Sequence, residues 1–522
     1  MKTSISRWVK RIGWSVAAAV IGIVMLAAAS AWAVGQNDIG AEGIARGAPD
    51  TNAPARFSRT GWNAKVRQRF MHPPVFTYAP MAGAVKYRCM VKWQDAKGEE
   101  QTAPMESATP EFDLANIWQA LPVSGSFVVN AGAVDAQGKV FAAVDTACQR
   151  IAPFKGPYRT AKCEYGESGV KTVAWLLKTR PGTRGYPALF YSSYIPLLTT
   201  YVRLNPKGEM AEAALSKAKE YGQEMLKCST PADWVYANLP LSHAGKGSTQ
   251  VDRGGIAGRA YLDLYAVTRD KTWLDAAGRI ADTLKKNQLP EGCWPFRVEP
   301  QTGKVLSKYT ADQAESILML DELIRNHGRK DLRETLDKAV AWMLENPCRT
   351  YRWAGGFEDC GGEENGSLTG VGAALFIEYL LRHAGPGNRY EQIAQDLLRY
   401  IDDQFVEWEP TGNQITPGVR EQYACYVNED AIVGLYIRVC MAFHTKTRDE
   451  VWMRKARAMA DTLTAVQHAD GFYPTFMTHK PSKASPTELK DINYTSIWPN
   501  CSAYAAWMLL RLGEYVKAAN AE

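Results

Sequence analysis

Acidic side chains gather at a few points in the C-terminal two thirds of the chain. Asp312 and Glu315 are three residues apart, so in a helix they would lie on one face. Glu358–Asp359 and Glu429–Asp430 are adjacent acidic pairs. Hydrolysis of a glycosidic bond needs two carboxyl groups, one protonated and one ionised. These six residues are therefore the candidate catalytic acids and bases, although Asp and Glu also cap helix N-termini.

A second chemistry is open to the same segments. His243 and Tyr426 are candidate proton-transfer groups for β-elimination, in which a base removes the proton beside a uronate carboxylate. Arginine forks match carboxylates, and aromatic rings offer flat apolar faces to sugar rings. On these grounds, and with Asp252 as a further acidic residue of the same segments, the candidate substrate-binding residues are Trp234, Asp252, Arg253, Arg297, Tyr309, Trp353, Arg420, Tyr494 and Trp498.

An internal repeat predicts the elements that must position these residues. Residues 268–295 and 447–474 align without a gap at an offset of 179, with 12 identities in 28 positions. Each copy has an amphipathic helix starting near Trp273 or Trp452, and each is preceded by a helix of small apolar residues on nearly all sides. A helix that is apolar all round is buried all round. The repeat therefore predicts pairs of one inner and one outer helix.

Similar pairs recur along the chain. The predicted inner helices start near Tyr186, Asp252, Tyr309, Asn365, Asn428 and Tyr494. The last inner helix has no outer helix after it, and an unpaired helix at 170–179 precedes the first. Pairing these two would close a ring, so the fold class predicted for residues 160–522 is mainly α, an (α/α)6 toroid. An open helical solenoid is the alternative, but solenoids need polar capping repeats.

The connections between helices predict where the chemistry lies. Turns from inner to outer helix are short, whereas the returns at 229–251, 289–308, 347–364, 405–427 and 468–493 are long. Long loops without secondary structure are usually functional or disordered. In a closed toroid all five returns emerge at the end where the inner helices begin, so the candidate residues should surround one mouth.

The N-terminal third has a different character. Residues 1–33 resemble a secretory signal peptide, with a basic start, an apolar stretch and a cleavage site near Ala33. Residues 34–62 are rich in Gly, Ala, Asn and Pro and read as a linker. Alternating apolar and polar residues over 63–155 predict a small all-β sandwich of fibronectin or immunoglobulin type. Cys89 with Cys148, and Cys348 with Cys360, are candidate disulfides of an exported chain.

Charge and composition exclude several classes of function. Without the four basic residues of the signal peptide, the formal net charge of +6 falls to +2, so nothing predicts nucleic-acid binding. The mature chain has no segment long enough to span a membrane. No CxxC motif or close Cys/His cluster predicts a metal site, and no cofactor is expected. Toroidal cyclases and prenyltransferases are disfavoured because no aspartate-rich diphosphate motif is present.

The helix pairs and the repeated loop ending Gly-x-Trp-Pro in one copy and Gly-x-Tyr-Pro in the other resemble the six-hairpin glycosidase superfamily over residues 160–520. The resemblance implies an enzyme that acts on an oligo- or polysaccharide, and the signal peptide predicts that this enzyme is periplasmic or extracellular. With the loop arginines, it leads us to expect hydrolysis of an acidic, uronate-containing glycan by paired carboxylates. A uronate polysaccharide lyase and a non-catalytic glycan-binding protein are the alternatives.

Overall fold

The computed structural model describes residues 68–78, 80–241, 247–307, 309–357, 360, 368–410, 412–423, 425, 427–480, 489 and 491–519. The signal peptide and the linker predicted from the sequence lie outside these residues. Twelve helices of more than four residues are described: α1 Tyr165–Thr179, α2 Pro187–Leu204, α3 Ala211–Lys227, α4 Asp252–Thr268, α5 Lys271–Lys286, α6 Ala314–His327, α7 Arg333–Glu345, α8 Val371–His383, α9 Tyr390–Gln404, α10 Asp430–Thr447, α11 Glu450–Val466 and α12 Pro499–Ala519.

The even-numbered helices form an inner ring. Each packs against the next, from α2 through α4, α6, α8, α10 and α12, and α12 packs back against α2. The odd-numbered helices lie outside, and α1 packs on α12 as the sixth outer helix. The predicted toroid is therefore confirmed, and the open solenoid is wrong. The inner helices begin between zero and six residues after the predicted positions, with no shift at α4 and the largest shift at α8.

The internal repeat encodes one turn used twice. Asp270 and Asp449 each accept a hydrogen bond from the backbone N–H two residues later, at 3.0 and 2.9 Å. Before them, Arg269 and Arg448 take left-handed conformations that end α4 and α10. These are the standard end and start signals of helices, so the shared Thr-Arg-Asp sequence joins an inner helix to an outer one at both places.

Two glycines at equivalent positions of the repeat have the same backbone conformation and the same kind of close contact. Gly292 and Gly471 have φ of +94° and +105°, which favours glycine. A Cβ on Gly292 would overlap the carbonyl oxygen of Lys338 in α7, and one on Gly471 would overlap that of Lys171 in α1. In both copies the loop after an outer helix therefore presses on the next outer helix of the ring. Because α1 is the next outer helix after α11, the second contact spans the closure.

The N-terminal region forms a five-stranded sheet in the order β1-β7-β6-β3-β4, from β1 Arg69–Phe70, β3 Lys86–Gln94, β4 Glu100–Ser107, β6 Ser126–Val134 and β7 Val140–Arg150. Strands β2 Val75–Thr77 and β5 Glu111–Asp113 pair separately. The alternation predicted around residue 89 is confirmed, because Tyr87, Cys89 and Val91 are buried. The fibronectin- or immunoglobulin-like sandwich stays a prediction.

The two candidate disulfides are not formed, since the cysteines are thiols, with Cys348 and Cys360 both buried. Cys89 and Cys148 lie on β3 and β7, which both pair with β6 from opposite sides. Strands separated by a third strand are about 9–10 Å apart, further than the Cα distance a disulfide spans. The sequence shows alternation along each strand but not the order of the strands in the sheet.

The start of the sheet is anchored on the end of α9. Arg69 is buried and donates to the Glu407 carboxylate at 3.1 Å. The backbone N–H groups of Met71 and His72 both donate to Asp403 Oδ1, at 2.7 and 2.9 Å. Buried charges are stable only when paired and hydrogen-bonded, so this junction ties the N-terminal region to the toroid.

The short strand pairs of the toroid, β8 Thr249–Gln250 with β9 Arg297–Val298 and β10 Val406–Glu407 with β11 Gly418–Val419, all lie in the long connections from outer to inner helices. They stiffen the loops that lead to the N-termini of the inner ring. Within the described ranges, no helix combines the length and the apolar character needed to cross a membrane.

Candidate functional site

A cavity of about 450 Å³ opens at the end of the toroid where the inner helices begin. All six inner helices contribute to its wall, together with residues from the long connections. Three of the five long connections that were predicted to surround one mouth, 347–364, 405–427 and 468–493, contribute described residues to this wall, whereas none of the described residues of 229–251 and 289–308 lines it. Along α4 the wall runs from Asp252 to Asp263, which corresponds to a depth of roughly 16 Å at ~1.5 Å per residue.

Asp312 is the best-defined acid of the wall. It lies just before α6, and its Oδ1 accepts a 3.0 Å hydrogen bond from the backbone N–H of Ala314. Burial, aided by the neighbouring Glu315 charge, raises the pKa of Asp312 to about 6. A Cβ on Gly372 of α8 would overlap Asp312 Oδ2, so the carboxyl group occupies the space that this glycine leaves. A carboxyl group in such a place can hold a proton near neutral pH.

Asp252 lies on the neighbouring helix. It is the first residue of α4, 3% exposed, and its Oδ2 is 3.7 Å from Arg253 Nε. Helices α4 and α6 approach closely, because a Cβ on Gly255 would overlap the backbone nitrogen of Ser316. Asp252 and Asp312 therefore stand about one turn before the same close contact, at the mouth ends of adjacent inner helices. Both line the cavity.

About two turns into the inner helices, at the level of Arg259, Glu378 and Arg438, carboxylates and guanidinium groups are paired. Glu315 forms an ion pair with Arg259, and Glu378 forms one with Arg438. Burial opposes ionisation of Glu378, but the surrounding guanidinium groups, Arg438 foremost, hold its pKa well below the ordinary value. Arg438 also donates to the Tyr504 hydroxyl at 3.2 Å. Of the four charged residues in these pairs only Glu315 and Arg259 line the cavity, and in both pairs the charges compensate one another.

Asp263 is the exception at that depth. It lines the cavity on α4, yet among the described residues none donates a hydrogen bond to its carboxyl group or forms an ion pair with it. Burial, followed by repulsion from Glu322, raises its pKa to about 7. A carboxyl group in this state can both donate and accept hydrogen bonds.

The fifth inner helix brings another acidic pair to the mouth. Glu429 lines the cavity, and its Oε1 accepts a 3.0 Å hydrogen bond from the Cys425 thiol. Asp430 is fully buried behind it, where it accepts from the backbone N–H of Ala431 at 2.8 Å. Burial raises the pKa of Asp430 well above its ordinary value. Asp430 is not among the cavity-lining residues. We therefore expect it to stabilise the N-terminal end of α10 and not to act in catalysis.

Of the predicted residues, the structure brings six to the cavity wall: Asp252, Arg253, Asp312, Glu315, Glu429 and Trp498. The positions of His243, Glu358, Asp359 and Tyr426 fall outside the described residues. The remaining six predicted binding residues, which are Trp234, Arg297, Tyr309, Trp353, Arg420 and Tyr494, are not among those that line the cavity.

Burial and local contacts explain the placement of the aromatic and basic residues that were expected at the cavity. Trp353 was predicted to bind substrate at the mouth, but its side chain is 2% exposed and belongs to the core. Arg420 is buried and paired with Glu407. Tyr494 donates from its hydroxyl to the Val466 carbonyl at 2.9 Å, which pins its loop to α11. These side chains hold the loops on the toroid, so they do not face the cavity.

The other three displaced residues belong to one corner of the loops. The Tyr309 ring stacks on Phe296 with centroids 5.0 Å apart, and the Arg297 guanidinium lies 5.7 Å from the same ring. Trp234 is half-buried in the connection between α3 and α4. All three support loops around the mouth rather than the wall of the described cavity.

Several wall residues escaped the sequence analysis: Arg259, Asp263, Asn500, Tyr504 and Trp507. They lie within inner helices rather than in loops. A signal was present, because Arg259 and Asp263 interrupt a helix of small and apolar residues. A charge in a helix that is buried on all sides needs a partner or a function.

No protein-family model matches the sequence, and no curated protein matches it significantly. Solved structures do match. A family 76 glycoside hydrolase from a bovine Bacteroides thetaiotaomicron strain superposes with a TM-score of 0.50 at 10% identity, over 86% of this chain and 97% of that one. A family 76 α-mannanase of Bacteroides thetaiotaomicron gives 0.49 at 14% identity, over 69% and 98%. An unsaturated glucuronyl hydrolase specific for heparin gives 0.47 at 11%, over 68% and 98%.

At these identities the similarity concerns the fold. It agrees with the closed ring of helix pairs that the contacts between the inner helices show. The chain therefore has an (α/α)6 toroid fold, which it shares with the family 76 glycoside hydrolase.

Proposed function

We propose that the protein is a glycan-active enzyme that hydrolyses glycosidic bonds, with Asp312 as the general acid. The observation that carries the proposal is the environment of Asp312: a carboxyl group enclosed by protein, facing a cavity, with a pKa of about 6. Such a group can protonate a leaving glycosidic oxygen near neutral pH. The likeness to the family 76 glycoside hydrolase supports the toroid as a scaffold for this chemistry.

The second carboxyl group that we assign is Asp252. It lies beside Arg253, whose guanidinium compensates its negative charge, whereas Asp312 has no cation at hydrogen-bond distance among the described residues. Glycoside hydrolysis requires this contrast, in which one member of the pair stays ionised and the other stays protonated. Glu315 is less suited to the role because its carboxylate is paired with Arg259.

The contacts of the arginines bear on the competing functions. An acidic glycan and a lyase mechanism were both inferred in part from loop arginines, but Arg420 is paired with Glu407 and Arg297 lies against Phe296. Hydrolysis by paired carboxylates therefore has more support within the described residues than β-elimination. A non-catalytic glycan-binding protein would need the cavity but not the raised pKa of Asp312.

Export of the protein, cleavage near Ala33 and a sandwich-type N-terminal domain complete the proposal. They rest on the sequence of residues 1–33 and on the alternation in residues 63–155. An exported location would give the enzyme access to polysaccharides outside the cytoplasm.

The test uses the wild-type protein and three variants, Asp312→Asn, Asp252→Asn and Asp275→Asn. Asp275 is an exposed carboxylate on α5 and serves as the matched control. Release of reducing ends is measured on a panel of mannan, xylan, polygalacturonate, hyaluronan and heparin, together with ultraviolet absorbance of unsaturated products. We expect hydrolysis that falls by about 10²–10⁴-fold in the first two variants and is unchanged in the control.

Detection of an unsaturated product would show that the reaction is β-elimination and not hydrolysis. Binding without turnover would favour the glycan-binding protein, and full activity of Asp312→Asn would remove Asp312 from the mechanism.

A further inference from the structure

The cavity holds a set of hydrogen-bond acceptors that the protein leaves unused. Asn500, at the start of α12, is 7% exposed and lines the cavity, and its Oδ1 has no hydrogen-bond partner among the described residues. Gln422 Oε1, in the connection before α10, is likewise buried at the wall without a described partner. Unpaired buried acceptors cost free energy, so residues that retain them are suited to binding a donor from a ligand.

Asp263, a half-buried residue for which no hydrogen-bond partner is described, supplies a further carboxyl group at the inner end of the cavity. It lies eleven residues beyond Asp252 along α4, so it is roughly 16 Å deeper at ~1.5 Å per residue. The cavity therefore carries acceptors both at the mouth, where Asn500 lies, and at its inner end. Hydroxyl groups distributed along a sugar chain are donors with this spread.

The cations of the described wall are already engaged. Arg259 is paired with Glu315, and Arg253 lies 3.7 Å from Asp252. Four further acidic residues line the same cavity: Asp263, Asp312, Glu421 and Glu429. Even with Asp312 protonated, the acidic residues of the described wall outnumber its two arginines, so a carboxylate that entered would meet more acidic groups than cations and would have to displace an existing ion pair. Like charges in an enclosed site repel strongly, which disfavours a uronate.

The remaining wall is apolar and aromatic. Trp498 and Trp507 line the cavity together with Phe357 and Phe476. Arg184 covers one face of Trp498 at 4.5 Å, and Thr200 accepts from Trp507 Nε1 at 2.9 Å, so both indoles are held in place. Fixed aromatic rings with nearby acceptors fit the apolar faces and hydroxyl edges of sugar rings.

We propose that the cavity selects a glycan without carboxylate groups, and that Asp263 is a specificity-determining residue that hydrogen-bonds a hydroxyl group of the sugar unit bound deepest. This inference rests on the proposed function and deepens it. It replaces the acidic substrate expected from the loop arginines by an uncharged one.

The experiment measures binding, so it does not depend on turnover. Mannotetraose and cellotetraose represent the uncharged class, and tetragalacturonic acid and a hyaluronan tetrasaccharide represent the uronate class. Each is titrated into the wild-type protein and observed by calorimetry and by saturation-transfer NMR. The variants are Asp263→Leu, which removes the hydrogen-bonding group, and Asp263→Asn, which keeps an acceptor, with Asp275→Asn as control. Circular dichroism checks that each variant is folded.

We expect binding of at least one uncharged tetrasaccharide and none of the uronates. Affinity should fall by at least about fivefold in Asp263→Leu, should stay closer to wild type in Asp263→Asn, and should be unchanged in the control. Preferential binding of a uronate tetrasaccharide would overturn the inference and leave the proposed function standing. Equal affinity of wild type and Asp263→Leu would overturn the role of Asp263. Absence of binding by all four, together with no hydrolysis of any polysaccharide in the panel, would overturn the proposed function itself.

Discussion

Replacing Asp312 by Asn should stabilise the protein while it removes activity. In the folded protein the pKa of Asp312 is raised from 3.8 to about 6. An unfolded chain therefore loses this proton at lower pH than the folded one, and between these two pH values the unfolded state binds fewer protons. Stability contributed by the protonated carboxyl is complete below pH 3.8 and is lost as pH rises through about 6.

The magnitude follows from the two pKa values. At ~1.36 kcal/mol for each pKa unit, ionising Asp312 in the folded protein costs roughly 3 kcal/mol above the folded-state pKa. The neutral amide of the variant would have no such cost, and its oxygen can still accept from the Ala314 N–H that Asp312 Oδ1 uses. We therefore expect Asp312→Asn to be more stable than wild type by up to about 3 kcal/mol near pH 7.5, and by little near pH 4.

Urea denaturation followed by circular dichroism at several pH values measures this difference. Asp275→Asn, on the exposed side of α5, is the control and should match wild type throughout. A stability difference that does not depend on pH, or a variant less stable than wild type near pH 7.5, would contradict the assigned environment of Asp312. This measurement needs no substrate, so it tests the site separately from the reaction.

Two further substitutions test the packing that shapes the site. Gly372→Ala should lower activity and should lower stability by roughly 1–3 kcal/mol, because the added Cβ would overlap Asp312 Oδ2. Thermal unfolding measures the change in stability. The control is Gly385→Ala, since an added Cβ at Gly385 would have no heavy atom within 4 Å. Trp353→Ala should destabilise by about 3–5 kcal/mol, since the side chain is 2% exposed, and urea midpoints that match wild type would show that the indole is not part of the core.

The architecture could be predicted from the sequence because the same unit of two helices recurs along the chain. Thr268-Arg269-Asp270 and its copy specify the same helix end and the same helix start, and six approximate repetitions leave few alternatives to a ring. The first and last helices each lacked a partner within a sequential pair, which indicated that the ring closes by pairing them with each other. Both features depend on local backbone chemistry and hydrophobic pattern, which a single sequence shows directly.

The composition of the cavity wall was less predictable. Whether Trp353 lies on a rim or in a core depends on how a loop folds back on the toroid, and its own residues do not determine this. Arg420 similarly finds Glu407 through the pairing of β10 with β11. Conversely, Asp263 and Arg259 reach the cavity because α4 faces the axis along its whole length. Contacts between distant segments decide all of these positions.

The pairing of α1 with α12 has a consequence for how the chain matures. Val173 and Leu176 are fully buried in the finished ring, yet α12 begins 320 residues after α1 ends. During synthesis, the apolar face of α1 stays exposed, and must avoid association with other chains, until α12 has been made. The same holds for Arg69, whose partner Glu407 is also encoded late. A chain that ended before Pro499 would form five hairpins with an open seam, so α12 is the helix that closes the ring of inner helices.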